Sequence, residues 1–253
     1  MMRDWFARIF LSSAQRALLA QGPAIFLLHK TGLAPRNTRD PFDYVDPDRL
    51  ETRLAALGAA GLKSISMDAV PQGDRPGQRF VISFDDGYRN VLRQGLPVLQ
   101  RQGIQAIQFL VASRIGGHND WDQAKGEVAE DLMTEAEVRE WLAAGQQIGS
   151  HGLTHRNLKK LSEKEARAEI FDSKKKLEDQ FGVAIRHFSY PSGRYTPQIR
   201  DLVEEAGYLT ASTVEFGVNG PGTNPFELRR IFPLSATELL GKARHRLWRK
   251  VLG

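Results

Sequence analysis

The chain has 253 residues, with 35 Lys and Arg against 30 Asp and Glu and a net charge of +5. It contains no cysteine, which excludes disulfides, thiolate metal ligands and cysteine nucleophiles. The small positive charge favours an acidic partner or a membrane surface. It is too small to indicate nucleic-acid binding, and no nucleic-acid motif is present. The length suits one large α/β domain or two small ones.

The amino-terminal segment, residues 1–22, mixes basic and apolar residues and is predicted to form an amphipathic helix. Polar residues interrupt it too often for the core of a signal peptide. No apolar run in the chain reaches the roughly 18 residues of a membrane-spanning helix. These features predict a location in the cytoplasm or on the inner-membrane surface.

Between residues 23 and 235, short apolar runs alternate with helical patterns. The predicted strands are Ala24–Leu28, Ser64–Met67, Arg79–Phe84, Ala106–Val111, Gln147–Ser150, His187–Tyr190, Thr210–Thr213 and Arg230–Leu234. The predicted helices are Asp48–Ala60, Asn90–Gln102, Glu135–Ala144, Glu163–Phe181 and Pro197–Glu205. Alternating strands and helices predict a parallel sheet, and the number of units indicates a single (β/α) barrel of seven to eight strands.

The carboxyl-terminal segment, residues 236–253, has apolar residues at helical spacing among six basic residues, His245 included. This pattern is typical of a helix that lies on a membrane surface. The alternative is a helix that packs against the barrel and turns its basic face to solvent. Peripheral membrane contact through the two terminal helices is therefore an open prediction.

Two adjacent carboxylates, Asp85 and Asp86, follow the predicted strand Arg79–Phe84 in the sequence SFDDG. One Asp is enough for an Asp-Gly turn, so the second requires another explanation. Successive residues at a strand end point in different directions. One carboxylate can therefore bind a cation while the other approaches a reacting water molecule.

Two histidines, His151 and His155, follow the predicted strand Gln147–Ser150 in the sequence SHGLTH. Neutral imidazole is a good ligand for zinc and similar ions, although two unrelated loop histidines are the alternative. In a parallel barrel all strands end on one face, so this pair should meet the two carboxylates. Two histidines and one carboxylate leave coordination positions open, as in catalytic metal sites.

These segments resemble the polysaccharide deacetylases, the NodB-homology group of carbohydrate esterase family 4. SFDDG resembles their first motif, SHGLTH their second, and FSYPSG a divergent form of their third. The resemblance runs from about residue 24 to residue 234. It implies a distorted (β/α) barrel and an enzyme that removes N-acetyl groups from amino sugars. It also implies one bound divalent metal ion, for which Zn²⁺ is the leading candidate. It also implies Asp85 as the catalytic base and Asp86, His151 and His155 as the metal ligands.

The third motif, SYPSGRY, supplies candidates for substrate binding. The backbone N–H of Ser192 aligns with the family's third-motif tyrosine and is expected to donate to the oxyanion of the reaction, with Tyr190 beside it. The alternative is an ordinary Pro-x-Gly turn. In the long segment 113–131, Trp121 is expected either to stack on a sugar ring or to cover the barrel rim.

Two features depart from the common family pattern. Ser189 stands where the family has an arginine that pairs with the base, and Arg230 is the candidate substitute, with a solvated surface charge as the alternative. No late histidine is placed to act as the acid. His29, after the first strand, occupies the place of the acid in a permuted branch that resembles poly-N-acetylglucosamine deacetylases. A structural histidine at a strand end is the alternative for His29.

The leading functional prediction is a metal-dependent deacetylase of an N-acetylated amino sugar in a glycan, a lipid-linked saccharide or a nucleotide sugar. One alternative is the same fold acting on a non-sugar amide or imide. Another is a non-catalytic carbohydrate-binding protein. No sequence feature predicts the oligomeric state.

Overall fold

A computed structural model describes residues 13–71, 78–123 and 125–232. Most of the predicted amino-terminal helix and all of the predicted carboxyl-terminal helix lie outside these residues. The first described element is helix α1, Ser13–Leu19.

Eight parallel strands form the main sheet of the molecule. They are β1 (Ala24–Leu28), β4 (Lys63–Ser64), β5 (Arg79–Phe84), β6 (Ala106–Leu110), β7 (Gln147–Ser150), β8 (His187–Ser189), β9 (Thr210–Phe216) and β10 (Leu228–Arg230). Two short strands, β2 (Lys30–Thr31) and β3 (Tyr44–Val45), pair apart from this sheet.

The sheet closes into a barrel. Its strand order is β1-β5-β6-β7-β8-β9-β10, with β4 paired to the start of β5. Residue 231 completes the ring, because the Leu27 N–H donates to the Ile231 carbonyl at 2.9 Å and the Ile231 N–H donates to the Ile25 carbonyl at 2.8 Å. The predicted single (β/α) barrel of seven to eight strands is confirmed.

Helices cover the outside of the barrel. They are α2 (Pro47–Ala59), α3 (Leu96–Arg101), α5 (Glu135–Ala143), α6 (Glu163–Phe181) and α7 (Pro197–Glu205), while the short helix α4 (Asp120–Gln123) belongs to the long segment after β6. Both α5 and α6 begin with a capping box, in which the side chains of the cap residue and of the third helical residue bond each other's backbone N–H. None of the described helices is long and apolar enough to cross a membrane.

Alternate strand residues divide into two apolar clusters, as the two-residue period of a strand requires. One cluster fills the barrel interior and contains Ile25, Met67, Val70, Val81, Ile107, Phe109 and Leu228. The other lies between strands and helices and joins residues such as Phe26 and Ile82 to Val138 and Ile170.

Three predicted elements differ in kind or position from the structure, whereas the other differences are shifts of one to three residues at an end. Only Lys63 and Ser64 pair as a strand where Ser64–Met67 was predicted, because Met67–Ala69 forms a 3₁₀ turn that places Met67 in the barrel interior. The last strand is Leu228–Arg230 and not Arg230–Leu234. The predicted helix Asn90–Gln102 starts as a π-helical turn, Val91–Gly95, before α3, where Pro97 has no N–H to donate to the preceding turn.

Candidate active site

The barrel places the two sequence motifs side by side at the carboxyl ends of its strands. The Asp85 N–H donates to the Leu28 carbonyl at 3.0 Å, which ties the end of β5 to the end of β1. The His151 N–H donates to the Leu110 carbonyl at 2.8 Å, which ties the end of β7 to the end of β6. The predicted meeting of the acid pair and the histidine pair is observed, with Asp86 Oδ1 3.5 Å from His151 Nε2.

The backbone is strained at three of the predicted site residues. Asp86, His155 and Ser192 have φ angles of 78°, 64° and 58°, and they are the non-glycine residues with positive φ in the described part of the chain. Left-handed backbone of this kind costs an L-residue about 1–3 kcal/mol and persists where the surrounding structure enforces it. The strain is concentrated at the site.

Asp86, His151 and His155 offer three ligand atoms that lie within 4.8 Å of one another. The Asp86 Oδ1 atom is 3.5 Å from His151 Nε2 and 3.3 Å from His155 Nε2. Asp86 and His151 are buried, and His155 is nearly so. His151 and His155 lie in an irregular loop after β7 and not on a helical turn.

The chemistry of these atoms fits a divalent cation. His151 Nδ1 lies 2.7 Å from the Ser189 carbonyl, so that nitrogen must carry a proton and donate it. Burial lowers the pKa of His151, which favours a neutral ring with a free lone pair on Nε2. That lone pair faces Asp86 Oδ1, a buried oxygen with no hydrogen-bond partner among the described residues. A cation between the two acceptors would satisfy both.

Asp86 is held in its ionised form. Burial opposes the ionisation of this carboxyl, but the close imidazole of His155, 3.3 Å away, and the charge of His151 outweigh burial. The pKa of Asp86 therefore lies well below its usual range. An ionised carboxylate is the form that binds a metal ion.

Asp85 forms a buried ion pair with Arg230. Arg230 Nη1 and Nη2 donate to the two Asp85 carboxylate oxygens, each at 2.8 Å. Arg230 has no exposed surface, and its Nε also donates to the Thr213 carbonyl at 2.7 Å. The alternative interpretation of Arg230 as a solvated surface charge is wrong, because β10 turns this side chain into the closed barrel.

Ser189 completes this arrangement. Its hydroxyl accepts from Arg230 Nη2 at 3.0 Å and lies 3.3 Å from Asp85 Oδ2. Burial opposes the ionisation of Asp85, but the charges of Arg230 and His151 lower its pKa below the ordinary value. Asp85 is thus an ionised carboxylate fixed by a two-point contact, and its Oδ2 lies 3.8 Å from His151 Nε2.

His29 follows β1 directly and is partly exposed. Leu28 pairs with Phe84 in the sheet, so His29 and Asp85 leave neighbouring strands at the same level. The charge of His29 contributes, as the smallest of several causes, to the lowered pKa values of Asp85 and Asp86. The structure therefore brings His29 to the same end of the barrel as the metal-binding motifs.

The third motif contains an exposed turn at Ser192 and a buried side chain, that of Tyr190. Ser192 is exposed in a left-handed turn after β8, and the neighbouring Gly193 packs so closely on Val214 that an added Cβ would lie 2.3 Å from its Cγ2 atom. Tyr190 is fully buried, and its hydroxyl donates to the Phe226 carbonyl at 3.0 Å. The prediction that Tyr190 contacts substrate is wrong, because its side chain packs beneath the turn.

Trp121 lies in α4, within the long segment that follows β6. Its ring stacks on the His155 imidazole, with 4.6 Å between centroids and 26° between planes. The side chain is partly buried. Trp121 therefore covers one candidate metal ligand, a contact that the sequence pattern did not predict.

Sequence reasoning missed two residues that hold the site together, Ser189 and Glu169. Ser189 was noted only as the place where an arginine is absent. Glu169 is buried on α6 and binds the backbone of the loop between His151 and His155. A signal for Glu169 existed, since it lies on the buried stripe of α6 with Ala166, Ile170, Ser173 and Leu177.

Comparisons with known proteins point to one family. The family model "Polysaccharide deacetylase" matches residues 72–211. YxkH of Bacillus subtilis (strain 168), whose assignment as a polysaccharide deacetylase is provisional, is 29% identical over 161 residues. That alignment covers 63% of this chain and 53% of YxkH, so the match spans about half of the relative's length. The peptidoglycan-N-acetylglucosamine deacetylase PgdA of Listeria monocytogenes is 24% identical over 62% of this chain and 32% of its own.

Solved structures share the fold. IcaB from Ammonifex degensii superposes with a TM-score of 0.74 at 19% identity, covering 89% of this chain and 97% of its own. The Streptococcus pyogenes deacetylase PplD, solved with acetate, superposes with a TM-score of 0.71 at 20% identity, covering 87% and 97%. The family match extends over more than half of the chain, and this protein belongs to the polysaccharide deacetylase family.

Proposed function

We propose that this protein is a metal-dependent hydrolase that removes N-acetyl groups from an amino sugar in a glycan, a lipid-linked saccharide or a nucleotide sugar. The observation that carries the proposal is the pair of adjacent carboxylates with different partners. Asp86 faces two imidazole nitrogens, whereas Asp85 is fixed by Arg230. A carbohydrate-binding protein has no need of this division.

Three ligands, Asp86, His151 and His155, would hold one divalent ion, and Zn²⁺ suits two imidazoles and a carboxylate. Such an ion, when bound, polarises a carbonyl and lowers the pKa of water to about 7. His151 is oriented for this role by its bond to the Ser189 carbonyl, and His155 by the Trp121 ring.

The chain's own residues then account for the remaining steps of amide hydrolysis. Asp85 takes a proton from the water molecule that attacks the acetyl carbon. The exposed Ser192 turn offers its backbone N–H to the oxygen that becomes negative as the tetrahedral intermediate forms. His29 gives a proton to the sugar nitrogen as the C–N bond breaks. The products are acetate and a free amino sugar.

Arg230 serves the base and not the substrate. Its guanidinium is fully buried and is bonded to Asp85, the Thr213 carbonyl and the Ser189 hydroxyl. It keeps the Asp85 carboxylate in one orientation and ionised, so that a lone pair is available for the water proton.

The family match and the named activities of PgdA and PplD support a deacetylase, and the site chemistry supports a metal-assisted one. The test is a panel of N-acetylated oligosaccharides and sugar nucleotides, with N-acetylated amino acids as the non-sugar comparison. Zinc-loaded protein should release acetate from at least one saccharide. Release from the amino acids alone would contradict the proposal and favour the non-sugar alternative.

A further inference from the structure

A buried carboxylate on α6, Glu169, has no place in the reaction described above. Its side chain is 4% exposed. Its Oε2 accepts the Leu153 N–H at 3.0 Å and the Thr154 N–H at 2.9 Å, and its Oε1 accepts the Thr154 hydroxyl. All three donors belong to the loop between the two histidines, so every hydrogen bond described for this carboxylate binds that loop.

The loop is also held from its other side by the segment that follows β6. The Ala112 N–H donates to the Gly152 carbonyl at 3.1 Å. The Ser113 N–H and hydroxyl donate to the Leu153 carbonyl at 2.9 and 2.6 Å. The amides of the loop therefore face Glu169, while its carbonyls face residues 112 and 113.

This double attachment matters because the loop is strained. The positive φ of Gly152, 80°, costs a glycine little, but His155, one of the two candidate imidazole ligands, has a φ angle of 64°. An L-residue in that conformation must be held by its surroundings. Hydrogen bonds to a charged group are stronger than those between neutral groups, and three of them can offset that strain.

We propose that Glu169 is a positioning residue that pre-organises the loop of His151 and His155 and thereby sets the metal affinity of the site. The inference rests on the proposed metal-dependent function. Without the carboxylate, the partly buried Leu153 and Thr154 amides would lose their acceptors, and His155 would leave its left-handed conformation. Metal binding would then have to restore the loop, and the affinity would fall.

The test measures the dissociation constant for Zn²⁺ by competition with a chromophoric chelator. Glu169→Met removes the acceptors at similar length and should weaken zinc binding by about 10–100-fold, the range for residues that orient metal ligands. Glu169→Gln keeps an acceptor oxygen but loses the negative charge, which roughly halves the strength of each remaining hydrogen bond. This variant should weaken zinc binding by more than about threefold. The Gln variant also gives the answer if the Met variant does not fold.

Glu178→Met is the matched control. Glu178 lies on the same helix and accepts the Ile185 N–H at 3.0 Å, at the opposite end of the barrel. Its loss should lower stability and leave the zinc affinity unchanged. Wild-type affinity in both Glu169 variants, or equal weakening in the Glu178 variant, would overturn the inference alone. Failure of the wild-type protein to bind zinc would overturn both the inference and the proposed function.

Discussion

Asp85 and Arg230 show what sequence could and could not predict at the scale of a residue. The role of base was predicted for Asp85 from the resemblance of SFDDG to the family's first motif, and it remains a proposal. The arginine remained one of two interpretations, because charge alone does not distinguish a buried side chain from a solvated one. The distinction depends on which face of β10 lies inside the barrel, and this follows from the pairing of Arg230 with Phe216 across a β-bulge.

Replacing Arg230 with Met tests the ion pair. The variant leaves a buried carboxylate without its counter-charge, so unfolding in urea should show a loss of stability of about 3–5 kcal/mol. Acetate release should fall as well. The neighbouring Arg229 is exposed, and Arg229→Met is the matched control, with an expected loss within about 0.5 kcal/mol. Equal losses in the two variants would contradict the assigned role of Arg230.

His29 is the residue on which this chain departs most from the common family pattern. An amine departs poorly unless it is protonated, whereas a phenolate departs without help. His29→Ala should therefore bind zinc normally, lose amide hydrolysis by a factor on the order of 10², and lose much less activity on an activated aryl ester. A uniform loss on both substrates, or no loss on either, would remove His29 from the mechanism.

At the scale of elements, the sequence predicted strands well where an apolar run ends in a sharp polar signal. The bounds of β1, β5 and β7 agree with the prediction. The strand prediction failed at residues 64–67, where a short apolar pattern leads into a 3₁₀ turn whose side chains fill the barrel interior. In the sequence, an apolar residue that points into the barrel from a turn cannot be distinguished from one that points inward from a strand. The loop of His151 and His155 was also beyond reach, since its shape depends on Glu169, a residue on the following helix.

The capping box of α5 gives a pH-dependent prediction. Burial raises the pKa of Glu137, but bonds from the Thr134 N–H, Arg89 and Arg93 outweigh it and lower that pKa to about 2. A depressed pKa stabilises the fold above the ordinary Glu value of about 4.3, and this contribution disappears as the pH falls towards 2. The stability difference between wild type and Glu137→Gln should therefore be largest near pH 6 and shrink steadily below pH 4.

Urea unfolding at pH 6, 4 and 3 measures this difference. Glu165 is the matched comparison, because it caps α6 in the same way and has a pKa of about 2 but is exposed to solvent. The stability difference between wild type and Glu165→Gln should be smaller at every pH than the difference between wild type and Glu137→Gln. A constant difference between wild type and the Glu137 variant from pH 6 to 3 would contradict the prediction.

At the scale of the whole molecule, the closed barrel explains why distant residues meet. His29, Asp85, His151 and Arg230 lie on four strand ends spread over some 200 residues, and closure through residue 231 brings the first and last strands together. The alternation of strands and helices predicted this architecture and the shared face. The same alternation did not predict how side chains fill the barrel interior. The Phe109 ring packs beneath Arg230 and lies so close to Gly149 that an added Cβ would be 2.6 Å from the ring.

The central claim is that the two adjacent carboxylates have separate roles in a metal-dependent hydrolase. The most direct test measures zinc content and acetate release together in wild type, Asp85→Asn and Asp86→Asn. Wild type should lose acetate release when stripped by a chelator and regain it with added zinc. Asp85→Asn should keep full zinc content and lose turnover by about 10²–10⁴-fold, since only the base is removed. Asp86→Asn should lose both. Equal zinc loss in the two variants, or undiminished acetate release from stripped wild-type protein, would contradict the account.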